Sequence, residues 1–349
     1  MKKKIILADT LSGKGRFSYF DFIRGLSILG VVAFHLAICY MPDSSDIVNR
    51  LAHPLLRSTR LFIFCSGFGL YYSHLQHPTS YMQFLKHRAR KTYLPYIAVV
   101  IVIALFPYSY YYNDRIIALL SHIFLFKMFV PRYIGSFGPF WFMSTIFEFY
   151  LLFYGFVWIK EHVKNDIVLL AVMSAISFAW CVASYKLWEP MGDIFGTVFW
   201  LYGWEFVLGM IAADRLVRNG TLYITWGAFI ICFAVCFAVA YMNRKLNMIS
   251  YINEIPSTCC LLILFTLLWA VFKEVKPVRR LIEWLGSISF EWYLTHMFFI
   301  DILLKIIHPK GFPQEVAFCC AATPLSVLVA YLYHRCVQTV DRKIFSRAV

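Results

Sequence analysis

Arg24 and His35 both lie inside the apolar run Asp21 to Tyr40, DFIRGLSILGVVAFHLAICY, and their types and spacing could do chemistry. A charged side chain deep in hydrocarbon costs at least about 3 kcal/mol on insertion scales, so one retained there faces a protein interior or a wet cavity. On a helix the eleven steps between them return to within about 20° of one face, at depths roughly 16 Å apart. An imidazole in such a place can take up and give back a proton near neutral pH. Asp21, one turn before Arg24, is placed to pair with it and so lower the cost of the guanidinium. A plainer arrangement uses the same residues: the arginine snorkels to the headgroups and the histidine is satisfied by a carbonyl.

Four other stretches offer reactive or binding groups. The loop Lys86-His87-Arg88-Ala89-Arg90-Lys91 concentrates cations, which either bind a polyanionic cytosolic ligand or set topology against anionic lipid. Ser66-Gly67-Phe68-Gly69 ends an apolar run, and its glycines permit close approach by another helix or by a ligand. Trp141-Phe142-Met143-Ser144 opens a run that carries Glu148, a carboxylate that must pair with a base or stay protonated. In LGSISFEWYLTH, Ser289, Tyr293 and His296 share a helical face, a polar stripe that fits either a reactive site or a hydrogen-bond network within a bundle. No P-loop, dinucleotide fingerprint, zinc ligand set or hydrolase elbow occurs. The ten cysteines lie in or against apolar runs without CxxC spacing, so they read as packing residues and no metal site or redox couple is expected. An enzyme built this way would bind no cofactor of its own and would take a group from an activated donor.

The elements that must position these residues are helices in a membrane. Of 349 residues, 60% are hydrophobic and 15% charged, against roughly 25% charged in a soluble domain. The expected architecture is all-α and polytopic, about ten transmembrane helices in a single membrane domain over residues 1–349. After the basic tail, 1–16, the first span lacks a small-residue cleavage site and reads as an anchor. Further spans are expected near 54–75, from 93, and near 139–159, 166–185, 194–213, 221–241, 253–272, 283–306 and 315–338. Residues 115–130 are apolar but short, interrupted by His122 and Lys127, and read as one interfacial or re-entrant helix. With that piece not crossing, Lys and Arg concentrate on one side and the outer loops, 115–132 left aside, hold only Arg50, Lys186, Arg244, Lys245 and Lys310. Both termini are then cytoplasmic by the positive-inside rule. The same bias accounts for the net charge of +14, so nucleic acid is not an expected partner; membrane lipid is.

The ordered landmarks carry a resemblance. The Arg24-to-His35 pair, IFCSGF, a basic run before Leu94-Pro95-Tyr96, WFMSTIFEFYL and LGSISFEWYLTH resemble, in order, the motifs of the acyltransferase-3 family of bacterial membrane O-acyltransferases. The resemblance implies transfer of an acyl group, commonly acetyl, from cytosolic acyl-CoA to a hydroxyl of a cell-envelope carbohydrate or lipid-linked glycan, at the cytoplasmic (inner) membrane. It also implies that Arg24 and His35 are the essential pair. The chain departs from the family at two points. Lys91 stands where an arginine is usual, offering a point charge in place of a bidentate fork, and Ile146 and Phe147 precede Glu148 where many members have adjacent carboxylates. The mechanism so implied places Arg24, Arg88 and Lys91 on the CoA phosphates and His35 as general base, with Ser289 or His296 donating to the oxyanion. A transporter or flippase for an anionic or lipid-linked precursor would also line a pathway with intramembrane charge, but with paired broken helices in two related halves. A structural subunit, the third alternative, would tolerate loss of His35.

Overall fold

The computed structural model describes residues 4–9, 17–42, 48, 55, 58–106, 115–133, 136, 140–191, 198–245 and 254–345. In chain order they form β1 (Lys4–Asp9), α1 (Ser18–Cys39), α2 (Ser58–Gln76), α3 (Tyr81–Arg88), α4 (Leu94–Leu105), α5 (Arg115–Ile123) and α6 (Trp141–His162). There follow α7 (Asp166–Met191), α8 (Phe199–Asn219), β2 (Thr221–Thr225), α9 (Trp226–Lys245), α10 (Glu254–Phe272), α11 (Lys276–Ser287), α12 (Ser289–Ile307) and α13 (Phe312–Phe345). Among the described residues, five stretches are long and apolar enough to cross a bilayer: Ser18–Cys39, Trp141–His162, Asp166–Ser184, Ile255–Phe272 and Phe312–Lys343. The helices α2, α8, α9 and α12, of 19, 21, 20 and 19 residues, reach the same length. About 20 residues cover the hydrocarbon core, so the chain is a multi-pass helical membrane protein.

Three local readings are corrected. The stretch expected to be one span over 221–241 begins as strand β2, because Gly220 closes α8 in a left-handed conformation (φ 72°) and the β-branched Thr221, Ile224 and Thr225 favour extended backbone. β2 pairs antiparallel with β1, Lys4 opposite Thr225 and Asp9 opposite Thr221, with an irregularity between Ile6 and Ala8. The stretch over 283–306 is two helices that meet at Ile288, whose backbone (φ −109°, ψ 9°) leaves the helical range. The third correction moves the span expected over 194–213, which runs as helix from Phe199 to Asn219.

The chain divides into two compact units. The first comprises Met1–Ser27, Arg57–Thr79 and Leu151–Ser287. In it α2 and α8 cross at glycines: a Cβ on Gly67 would overlap the Phe206 carbonyl oxygen, and one on Gly209 the Phe64 carbonyl oxygen. Small residues let helix backbones approach in this way. Near the crossing the buried Arg60 pairs with Glu205 at 3.0 Å and lies over the Tyr202 ring. The Arg24 and Leu285–Ser287 motifs meet by the same device, since a Cβ on Gly25 would strike Ile282 O and one on Gly286 would strike Asp21 O. Lys160 joins the ends of three helices, at 2.8 Å from Asp214 and 3.3 Å from Asp166.

The second unit comprises Ile28–Leu56, Ser80–Tyr150 and Ile288–Val349. Here α12 lies along α13, with Trp292 Nε1 donating to Ser326 Oγ at 2.9 Å, and Tyr333 of α13 donates to Pro95 O at 2.6 Å. Among the described residues between α4 and α6 the longest helix is the nine-residue α5, a rise of about 13 Å, less than half the hydrocarbon thickness. It ends where Leu125 turns left-handed (φ 59°), and two 3₁₀ turns follow, Lys127–Phe129 and Pro131–Tyr133. The polar interruptions are internal. His122 Nδ1 accepts from Tyr96 OH at 2.7 Å, its Nε2 donates to Ser136 O at 2.9 Å, and Lys127 Nζ donates to the same carbonyl at 3.2 Å. Burial pushes the Lys127 ammonium down to about 7.

Candidate functional site

α1 is one continuous helix of 22 residues, so Arg24 and His35 keep the helical offset that their spacing implies. In the first unit Arg24 lies 3.6 Å from Asp21. Ser66, next to Cys65, is half-buried. In Ser66-Gly67-Phe68-Gly69, Gly67 serves the helix crossing, whereas among the described residues nothing lies within 4 Å of a Cβ built on Gly69.

His35 belongs to the second unit and is 8% exposed. Its Nδ1 lies 3.1 Å from Nε2 of His296 on α12, which has no exposed surface. Nδ1 of His296 is 3.0 Å from Trp292 O and 2.9 Å from Tyr293 O. The aromatic wall continues through Tyr293, whose ring packs edge-on against Phe142 and Phe140 at 5.6 and 6.2 Å. Ser289 is buried at the start of the same helix. On α6 both Trp141, which opens the helix, and Glu148 are half-buried. Five residues beyond the histidines the two helices meet again, where Tyr40 OH donates to Asp301 Oδ1 at 2.7 Å. Tyr40 also packs in an apolar cluster with Ile300, Phe318, Cys319 and Ala322.

The basic motif sits on another part of the second unit. A capping box of Ser80 and Gln83 starts α3. The helix then passes into a π turn, Ala89–Tyr93, a local form frequent at functional sites. Arg90 is engaged by Asp341 of α13 through an ion pair and a hydrogen bond. Arg88 differs: its guanidinium lies over the Phe84 and Tyr150 rings at 5.6 and 5.9 Å, and its Nε has no hydrogen-bond partner among the described residues. Desolvation, and then the Arg88 charge, hold the Lys91 ammonium below the usual lysine range. Desolvation followed by Lys91 and Arg88 pushes the His87 imidazole down to about 4, so it is uncharged near neutral pH. The result is a crowd of cations in which the Asp341 carboxylate is engaged by Arg90.

The structure therefore brings His35 to His296, Arg24 to Asp21, and Lys91 to Arg88. Sequence reasoning missed the Arg60–Glu205 pair, the Arg90–Asp341 pair and a chain in which Glu291 accepts from His334 Nδ1 at 2.9 Å and Gln338 contacts His334 Nε2 at 2.7 Å. Arg60 and Glu205 were findable as charges within apolar runs. Asp341 carried no signal, since it stands in a basic tail.

The "Putative membrane-bound acyltransferase YfiQ" of Bacillus subtilis (strain 168) is 25% identical over 306 residues, 80% of this chain and 80% of that protein. No solved structure matches the chain. The acyltransferase-3 family, described as an acyltransferase domain, matches residues 17–335, a stretch that takes in Arg24, His35, the basic motif and His296. The chain belongs to the acyltransferase-3 family of membrane acyltransferases.

Proposed function

We propose that the protein moves an acyl group, acetyl in the first instance, from cytosolic acyl-CoA to a hydroxyl of a cell-envelope carbohydrate or lipid-linked glycan. The observation that carries this reading is His35: a nearly buried imidazole on a membrane helix, engaged by another histidine at one ring nitrogen. Arg88, Lys91 and Arg24 are the donor-binding cations, and Asp21 steadies Arg24. The acceptor hydroxyl gives its proton to His35 as its oxygen attacks the thioester carbonyl. A carbon–oxygen bond forms, the carbon–sulfur bond breaks, and the proton passes from His35 to the departing CoA thiolate. The thioester supplies the driving force. Residues 1–349 act as one functional domain in the bacterial cytoplasmic membrane, with ten crossings and both termini in the cytosol.

The test is transfer of radiolabelled acetyl from acetyl-CoA into envelope carbohydrate by membranes carrying each variant at matched abundance. His35→Ala should lower the rate by about 10² to 10⁴, the usual contribution of a general base. Transfer at the wild-type rate would remove His35 from the chemistry. Movement of an anionic lipid-linked precursor without any acyl transfer would favour a flippase instead.

A further inference from the structure

The hydrogen bonds around His296 carry information about which nitrogen of His35 can act. A carbonyl oxygen only accepts, so with Trp292 O at 3.0 Å and Tyr293 O at 2.9 Å, Nδ1 of His296 carries a hydrogen. In neutral His296 the other nitrogen, Nε2, is then a bare lone pair. That lone pair faces Nδ1 of His35 at 3.1 Å, and a contact between two ring nitrogens is a hydrogen bond only if one of them carries the proton. In the neutral pair it is Nδ1 of His35. The unprotonated nitrogen of His35 is consequently Nε2, on the ring edge away from His296.

From this geometry we infer that His296 is the positioning residue for His35: it fixes the Nδ1–H tautomer and so makes Nε2 the nitrogen that takes the acceptor proton. The inference rests on the reading of His35 as base and goes beyond it. When Nε2 takes the proton of the acceptor hydroxyl, His35 becomes an imidazolium, and its Nδ1–H bond to His296 becomes charge-assisted. The proton then leaves from Nε2 to the CoA thiolate, and the pair returns to its starting tautomers. Two histidines thus do what a histidine and a carboxylate do elsewhere, without placing a negative charge in the membrane interior. Because its second nitrogen is committed to backbone carbonyls, His296 has no hydrogen left for an oxyanion, and of the two residues named for that role Ser289 is the one that remains.

The experiment has two arms on the full-length protein. In the first, nitrogen NMR of ¹⁵N-histidine-labelled protein in lipid at mildly alkaline pH assigns the His35 signal by its loss in His35→Gln. The expected signal has Nδ1 protonated and Nε2 bare; the opposite tautomer overturns the inference. In the second, acetyl transfer is measured for His296→Leu, which fills space but accepts nothing, and for His296→Gln, whose amide oxygen can stand near the position of Nε2. His296→Leu should lower kcat by about 10 to 100-fold, the scale of losing an orienting partner, with KM for acetyl-CoA within about twofold. His296→Gln should recover most of that loss. Wild-type kcat in His296→Leu would also overturn the inference. The parent reading fails separately, by undiminished transfer in His35→Ala, a result that leaves the tautomer measurement standing.

Discussion

Arg88 and Arg90 stand two positions apart, and their surroundings divide their work. A guanidinium already held by a carboxylate, as Arg90 is by Asp341, has little left to offer a phosphate. Arg88 rests on aromatic faces with an Nε that has no hydrogen-bond partner among the described residues, and the neighbouring Lys91 adds a second positive charge. A charge-assisted hydrogen bond contributes roughly 1.5 to 3 kcal/mol, which is about 10 to 100-fold in affinity. Arg88→Ala and Lys91→Ala should therefore raise KM for acetyl-CoA by about that factor, with kcat nearly unchanged. Arg90→Ala should act chiefly on thermal stability, because it strands Asp341. Calorimetric binding of acetyl-CoA to the purified variants checks the assignment. If Arg90→Ala alone weakened binding, the donor site would have to be redrawn around the Arg90–Asp341 pair.

Helix pairs show which sequence signals concern packing and which concern chemistry. Of the two glycines in Ser66-Gly67-Phe68-Gly69, only Gly67 sits where α2 meets α8, against backbone that cannot swing aside. Gly67→Ala and Gly209→Ala should each destabilise the protein by about 1 to 3 kcal/mol, the usual cost of overpacking, while Gly69→Ala should leave the melting temperature unchanged. Melting curves of the three variants in one detergent decide it; equal effects at Gly67 and Gly69 would refute the crossing. The sequence showed the motif and left open what approaches it. The same limit recurs elsewhere. Helical spacing was enough to align Ser289, Tyr293 and His296, yet the contact of His296 with His35 joins residues 261 positions apart and depends on how α1 packs on α12. The strands were hidden for another reason: β1 and β2 have six and five residues, one in a basic tail and one continuous with an apolar run, so a span-length average passes over both. The turn at Ile288 was hidden likewise, because apolar residues continue through it from α11 into α12.

At the scale of the whole molecule, hydrogen-bonded partners constrain the path through the membrane, since both must lie on one side and the crossings between them must be even in number. Within the first unit β1 pairs with β2. The candidate crossings between them are α1, α2, α4, α6, α7 and α8, an even set that becomes odd if α5 crosses. Within the second unit Arg90 pairs with Asp341. The helices between them, α4, α6, α7, α8, α9, α10, α12 and α13, are again even only without α5. Ten crossings satisfy both constraints, which are independent of the positive-inside bias from which the topology was first read. A crossing α5 would move every later loop to the opposite side, so three exposed lysines test the arrangement: Lys164, Lys276 and Lys310. Each is replaced singly by cysteine in a background from which the ten native cysteines have been removed, and intact cells are treated with a membrane-impermeant maleimide. Lys310→Cys should label from outside, while Lys164→Cys and Lys276→Cys should label only after the cells are opened. The reverse pattern at all three would show that α5 spans, and labelling of Lys164 and Lys276 on opposite sides would instead break the count between α7 and α11.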